Sequence, residues 1–361
     1  MKQDFIPLEN YTGCLLGGAI GDALGAPVEF LSLNQILNRF GPDGILEYVE
    51  FTDGKGRITD DTQMTIFTAE AVLRFLNRSR QRGIWGAYLQ ITYDSYLRWL
   101  HTQGEKLPQL PGGRPKLDGW IIRNRELFSR RAPGNTCLGA LRSGIQGTME
   151  RPINNSKGCG GIMRVAPVGL MRGFSPEEIF KIGAELAAIT HGHPSGYLSA
   201  GAFAALLAFL KEGYMLRKAL LETLKILESY TRHEETTQAL KKAIDLSESI
   251  EPTFENINKL GEGWVGEEAL AISVFCALHH KNDFKKAVNL AVTHNGDTDS
   301  TGAITGNIVG LYCGEQKIPE NWIKNLEMNE FIKQIAIDIY REKEIDSFAI
   351  DFQWNEKYPP V

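Results

Sequence analysis

Apolar residues return every three or four positions along most of this chain, the spacing that lays one helical face against a core. The pattern predicts helices over Asp61–Leu76, Ala87–Leu100, Thr136–Gly147, Pro176–Ile189, Tyr197–Leu210, Leu216–Tyr230, Thr236–Ile250, Glu267–His280, Phe284–Val292, Ser300–Cys313 and Asn329–Tyr340. Alternation with period two is rare, its best instance being ILEYVEF, Ile45–Phe51. An all-α fold is expected. SPEE from Ser175 puts Pro at the first helical position and Glu at the third, and NDFKK from Asn282 offers Asn or Asp ahead of an apolar run. The Gly- and Pro-rich joints at Gly104–Pro115 and Lys157–Gly161 read as loops, because helical patterns resume on both sides. One domain over residues 1–361 is expected, with a boundary near Gly104–Gly119 as the alternative.

In YTGCLLGGAIGDALGAPVEF the glycines Gly13, Gly17, Gly21 and Gly25 fall every four residues and form one bare helical stripe. Glycine costs a helix roughly 1 kcal/mol relative to alanine. That cost must be offset by close backbone packing or by access for a ligand. Neither G-x-G-x-x-G after a strand nor G-K-[ST] occurs, which removes the dinucleotide and P-loop geometries.

Composition is that of an ordinary globular protein, with 43% hydrophobic and 23% charged residues. A net charge of −5 with scattered Lys and Arg gives no electrostatic footprint for nucleic acid or an anionic membrane. Five separated cysteines, Cys14, Cys137, Cys159, Cys276 and Cys313, contain no CxxC pair and read as small buried hydrophobes in a reducing compartment. The N-terminus lacks the apolar core of a signal peptide, and the longest apolar stretch, Ala200–Leu210, is well short of the ~20 residues a bilayer needs. A cytoplasmic protein is expected.

Two acidic clusters carry candidate chemistry. Thr59, Asp60, Asp61 and Thr62 stand just ahead of one helical run, and HNGDTDSTGAITGN, His294–Asn307, sets Asp297, Asp299, Ser300 and Thr301 ahead of another. Each cluster by itself is explained by helix capping, and Asp60 with Gln63 has capping-box spacing. Taken together, four carboxylates with neighbouring hydroxyls are an oxygen-only set suited to hard cations such as Mg²⁺ or Mn²⁺. Adjacent Asp60 and Asp61 diverge, and Asp297 and Asp299 can close the set from across the fold, holding two ions about 3.5–4 Å apart. An EF-hand would need Glu where the chain has Ile308, and there is no H-E-x-x-H.

The ordered segments GAIGDALGAPVEF, TDDTQM, GNTC, GCGGIMRVAPVGL, THGHPSGYLSAG and HNGDTDSTGAITGNIVGLYCG resemble those of the ADP-ribosylglycohydrolases. The resemblance implies a compact, all-helical orthogonal multi-helix bundle around a central binuclear metal cleft. By motif it makes Thr59, Asp60, Asp61, Asp297, Asp299 and Ser300 ligands of two divalent cations, Mg²⁺ or Mn²⁺. It puts Glu29 beside them in water activation or substrate gating, with Asp60 and Asp299 essential to turnover. It implies substrate contacts at Asn135, Gly158, Gly160 and Gly161, and at His193 rather than His191.

Some relatives carry an acid three positions before the asparagine of GNTC, where this chain has Ala132, which favours Glu29 or a metal-ligating aspartate as base. The implied activity is removal of ADP-ribose from a modified protein side chain, with arginine as the expected linkage. Serine-linked, small-molecule or base-linked ADP-ribose and non-catalytic ADP-ribose binding are the alternatives. The partners so implied are ADP-ribosylated protein and ADP-ribose, not nucleic acid or membrane.

Overall fold

The computed structural model describes residues 6–49, 54–83, 86–110, 113, 115–344 and 351–360. Among them there are seventeen α-helices and no strand beyond two isolated bridges. In chain order these are α1 (Leu8–Gly25), α2 (Leu33–Phe40), α3 (Asp60–Arg82), α4 (Tyr88–Thr102), α5 (Asn135–Arg142), α6 (Ala166–Gly169), α7 (Pro176–Ala188), α8 (Pro194–Lys211) and α9 (Leu216–Leu227). The chain continues through α10 (Glu234–Ser249), α11 (Phe254–Ile257), α12 (Gly266–His280), α13 (Phe284–Ala291), α14 (Thr298–Cys313), α15 (Glu320–Asn325), α16 (Asn329–Arg341) and α17 (Phe352–Lys357).

The glycine stripe of α1 is a packing device. It faces a second stripe on α14, so that a side chain at Gly13, Gly17 or Gly21 would strike the backbone of Gly310, Gly306 or Gly302. Gly25 meets Thr298 in the same way, which makes the two helices antiparallel and sets the end of α1 beside the start of α14. Both helices are buried along almost their whole length. With no side chains between them, the backbones come close enough to fix the relative height of their ends.

The predicted caps at α7 and α13 form. Ser175 and Glu178 make a reciprocal capping box, and Asp283 accepts from the Lys286 N–H. The spacing of Asp60 and Gln63 does not produce the box it predicts. Thr59 is the N-cap of α3, and its hydroxyl accepts from the Asp61 N–H at 3.2 Å. Gln63 turns to other work, donating to the Ser129 carbonyl at 2.9 Å and accepting from Trp99 and Gln103.

Ile45–Val49 is irregular, and Glu50 and Phe51 of the strand-like stretch lie outside the described residues. Side chains satisfy this backbone where a ladder would have done so: Ile45 N–H donates to Thr293 Oγ1, and Asn289 Nδ2 donates to the carbonyls of Asp43 and Ile45. All five cysteines are free, with Cys159 and Cys313 only half-buried. Among the described residues no single helix is long and apolar enough to cross a membrane.

Candidate functional site

The N-terminal turns of α3 and α14 converge, although they are 239 residues apart in sequence at the point of contact. Ser300 Oγ donates to Asp61 Oδ1 at 2.9 Å. Carboxylate oxygens of Glu29, Asp297 and Asp299 lie within 4.8 Å of one another. Glu29, Asp60, Asp61, Asp297, Asp299 and Ser300 thus line one cleft of about 210 Å³. Capping and clustering coexist: Asp297 caps α14 through Oδ1 at 3.2 Å from Ser300 N–H, while Cys159 Sγ donates to its Oδ2 at 2.6 Å. Thr59 caps α3 and lies behind the cleft, in a neighbouring cavity that shares Glu29 and Ala132.

Two attachments aim α3. Asp22, fully buried on α1, accepts from Thr59 N–H at 3.0 Å, from Thr62 N–H at 3.2 Å and from the Thr62 hydroxyl. It satisfies donors that the helix start would otherwise leave orphaned. From the other side, Asp60 N–H donates to the Arg131 carbonyl at 3.1 Å, and Gly134 N–H donates to Asp60 Oδ2 at 3.0 Å. Between these two contacts Ala132 sits at φ +47°, a left-handed conformation costly for a residue with a Cβ.

So much acid in one place is electrostatically expensive. Burial, reinforced by the neighbouring carboxylates, pushes Glu29 up to about 8 and holds Asp61 and Asp299 well above the usual carboxylate range. Burial likewise takes Asp60 up to about 7, against the bond from Gly134. Among the described residues lining the cleft there is no lysine or arginine to compensate. An all-oxygen, hard and uncompensated donor set of this kind fits divalent cations. The positive ends of α3 and α14 supply part of the balance.

The expected substrate contacts divide. Asn135, the exposed first residue of α5, lines the cleft, as do Gly158 and Gly160. The Gly158 N–H donates to Ser156 Oγ at 3.3 Å, while a Cβ at Gly160 would come within 3.1 Å of Cys137 Sγ and of the His191 ring. Gly161 lies against Ala187 and Gly196 and is not among the lining residues. His193 is set apart too. It is the N-cap of α8, with Nδ1 accepting from Ser195 N–H at 3.2 Å, and the histidine that reaches the cleft is His191.

Sequence reasoning missed Asp22 and Trp264, read Cys159 only as a small hydrophobe, and set His191 aside in favour of His193. Asp22 was visible as the one charge in the small-residue and apolar run from Gly13 to Gly25. Trp264 lies between glycines in GEGWVG. At the cleft mouth it stacks on Phe30 with centroids 5.7 Å apart and planes 19° apart, and Phe30 is 77% exposed.

A sequence-family model described as ADP-ribosylglycohydrolase matches residues 3–347. The chain is 23% identical to an ADP-ribosyl-[dinitrogen reductase] glycohydrolase of Rhodospirillum rubrum, over 88% of this chain and 90% of that one. It is 25% identical to an ADP-ribosylarginine hydrolase of Serratia proteamaculans, over 92% of this chain and 79% of that one. Its fold is similar to that of a solved ADP-ribosylglycohydrolase-related protein complex, with a TM-score of 0.56 at 23% identity over 93% of this chain and 98% of that one.

Proposed function

Because this chain belongs to the ADP-ribosylglycohydrolase family, we propose that it is a metal-dependent hydrolase that frees ADP-ribose from modified protein side chains, arginine being the linkage it serves. The observation that carries this reading is the meeting of Asp60 and Asp61 with Asp297, Asp299 and Glu29 in one cleft, tied by the Ser300–Asp61 bond. The similarity to an ADP-ribosylarginine hydrolase supports the choice of linkage.

Asp60, Asp61, Asp297, Asp299 and Ser300, with Thr59 at their edge, would hold two hard divalent cations, Mg²⁺ or Mn²⁺. Bound there, such ions supply positive charge for vicinal ribose hydroxyls and for a water. Glu29 stands at the rim of this set, half-buried and facing both cavities; cations held beside it would offset the burial and neighbouring charge that raise its carboxyl, leaving a base to take the proton of the attacking water and return one to the departing side-chain nitrogen. Ala132 offers no second acid for that exchange. Asn135 and His191 orient the sugar and phosphates from the opposite wall, and the Trp264 face suits a purine at the mouth.

The test is release of free ADP-ribose from ADP-ribosyl-arginine with Mg²⁺ and with a chelator. Release that the chelator abolishes supports the assignment. Release only from serine-linked substrate would move the linkage, and tight ADP-ribose binding without release from any linkage would make the protein a binder.

A further inference from the structure

Behind His191, which the proposed function uses only as part of the cleft wall, the THGH segment and Arg164 fix how that ring can bond. His191 is buried and presents Nε2 toward the cleft, where side chains at Gly158 or Gly160 would come within 3.5 or 3.2 Å of that atom. Nε2 has no hydrogen-bond partner among the described residues. Its other nitrogen is held firmly: Nδ1 is 2.8 Å from Thr190 Oγ1, and Thr190 Oγ1 in turn accepts from Arg164 Nη2 at 2.7 Å. Arg164 and Thr190 are both fully buried.

A hydroxyl has one proton to give. Its other acceptors are poorer, the Ala187 carbonyl at 3.5 Å and the weakly accepting Cys137 sulfur, so the 2.8 Å contact with Nδ1 takes the proton. The guanidinium on the oxygen polarises the hydroxyl and makes it the better donor. Nδ1 is then an acceptor, and the ring's own proton must sit on Nε2. Burial, helped by the Arg164 charge, pushes the imidazole down to about 3, which keeps it uncharged at neutral pH.

The surrounding loop is held as tightly as the ring. Asn154 Nδ2 donates to the Thr190 carbonyl at 2.8 Å and Asn154 Oδ1 accepts from Gly192 N–H at 3.0 Å, gripping the backbone on both sides of His191. Arg164 is fixed by the Leu186 carbonyl at 3.2 Å and lies 4.2 Å from the Tyr96 ring centroid.

We propose that Arg164 and Thr190 are positioning residues that lock His191 as a neutral Nε2–H donor aimed at an acceptor oxygen of the substrate, a phosphate oxygen or a ribose hydroxyl. This rests on the reading of the cleft as an ADP-ribose site for the identity of the oxygen, but not for the tautomer. An imidazolium would attract the acids across the cleft, whereas a fixed neutral donor contacts the ligand without disturbing them.

The experiment is long-range ¹H–¹⁵N spectroscopy of the ¹⁵N-histidine-labelled full chain, with His191 assigned by its loss in His191→Gln. The expected result is a protonated Nε2 and an unprotonated Nδ1 in the wild type, with an Nδ1 resonance that moves in Thr190→Val and stays in Thr190→Ser. A protonated Nδ1 in the wild type, or no response to Thr190→Val, would overturn the proposal. In binding, His191→Gln, whose amide nitrogen can replace Nε2–H, should hold ADP-ribose within a few-fold of wild type, and His191→Asn should lose roughly tenfold or more. Equal losses count against it. An Nε2–H shift with ADP identifies the phosphates, and one seen only with ADP-ribose identifies the terminal ribose. Failure of ADP-ribose to bind the wild type refutes the functional reading instead, and leaves the tautomer measurement to decide this one.

Discussion

Gly306→Ala tests whether the acid cluster is held together by the bare interface between α1 and α14. A Cβ at Gly306 would stand 2.0 Å from the Gly17 carbonyl oxygen and 2.6 Å from its carbon. Both are backbone atoms of a buried helix and cannot turn aside. The helices must part by about 1.4 Å, the difference between 2.0 Å and the 3.4 Å at which ordinary contact begins. Overpacking of this kind costs about 1–3 kcal/mol, and the rigid partner puts it at the upper end. Alanine's better helix propensity returns about 1 kcal/mol, which leaves a net loss near 2 kcal/mol.

At about 2.1 cal/mol/K per residue a chain of this length loses about 1.3 °C per kcal/mol, so Tm should fall by a few degrees. The larger effect is on the site. Separation displaces Asp297 and Asp299 from Glu29, and a misplacement of ~1 Å can cost ~100-fold in rate. Urea denaturation and Mg²⁺ calorimetry measure the two effects. Gly139→Ala, on α5 with nothing within 4 Å of its would-be Cβ, is the control and should stabilise by up to ~1 kcal/mol. If Gly306→Ala matches that control and binds Mg²⁺ as the wild type does, the reasoning fails.

Asp299→Asn should abolish turnover and the Mg²⁺-induced rise in Tm, yet raise the Tm of the metal-free protein by removing a buried charge and its repulsion with Asp61 and Asp297, as differential scanning calorimetry in a chelator would show. Asp22→Ala should cost about 2–5 kcal/mol by orphaning the Thr59 and Thr62 N–H groups, and should weaken Mg²⁺ binding although Asp22 is not among the residues lining the cleft. Lys211 is buried with Nζ on the Met171 carbonyl, and burial takes its ammonium from 10.5 down to about 8. Above pH 8 the folded state has lost a proton that the unfolded state keeps until 10.5, so this group's contribution to stability rises with pH across that window. Between pH 8 and pH 10 wild type should gain roughly 2–3 kcal/mol relative to Lys211→Met in denaturant titrations.

Most of the helices could be read from periodicity, and their observed ends fall within three residues of the predicted ones, except that α3 runs on to Arg82 and α5 stops at Arg142. The six-residue α15 offers too few turns for a pattern to register, whereas α2 is as long as the predicted α13 and escaped although Ser32 and Gln35 carry a capping box at its start. The Ile45–Val49 stretch misled because alternation records which side chains are buried and does not say what satisfies the backbone. Here Thr293 and Asn289 supply the partners, and no sequence window of local length contains both sides of that exchange.

The glycines teach a sharper lesson about the site. The stripe on α1 was conspicuous, and its complement, Gly302, Gly306 and Gly310, was printed in the same segment that drew attention for its aspartates. Two stripes of equal period, one ending at a helix C-terminus and the other beginning just after an acidic turn, can mate antiparallel in only a few registers. The observed one places Gly25 against Thr298 and so brings Glu29 beside Asp297 and Asp299.

The second convergence left no such trace. Asp60 and Asp61 reach the cluster because Asp22 crosses from α1 to hold the start of α3, and because Ala132 bends a loop so that Arg131 and Gly134 grip Asp60 from both directions. Those contacts join residues 37 to 74 positions apart through single hydrogen bonds rather than through a repeated pattern. Residue chemistry could announce that these acids wanted a shared cation, but only the backbone path could say that they meet. Relaxing Ala132 with glycine is therefore the informative perturbation: Ala132→Gly keeps every donor while freeing the bend. Tighter folding with weaker Mg²⁺ binding would mean that strain in this loop is what keeps Asp60 aimed at the cleft, and unchanged Mg²⁺ affinity would assign that duty to Asp22 alone.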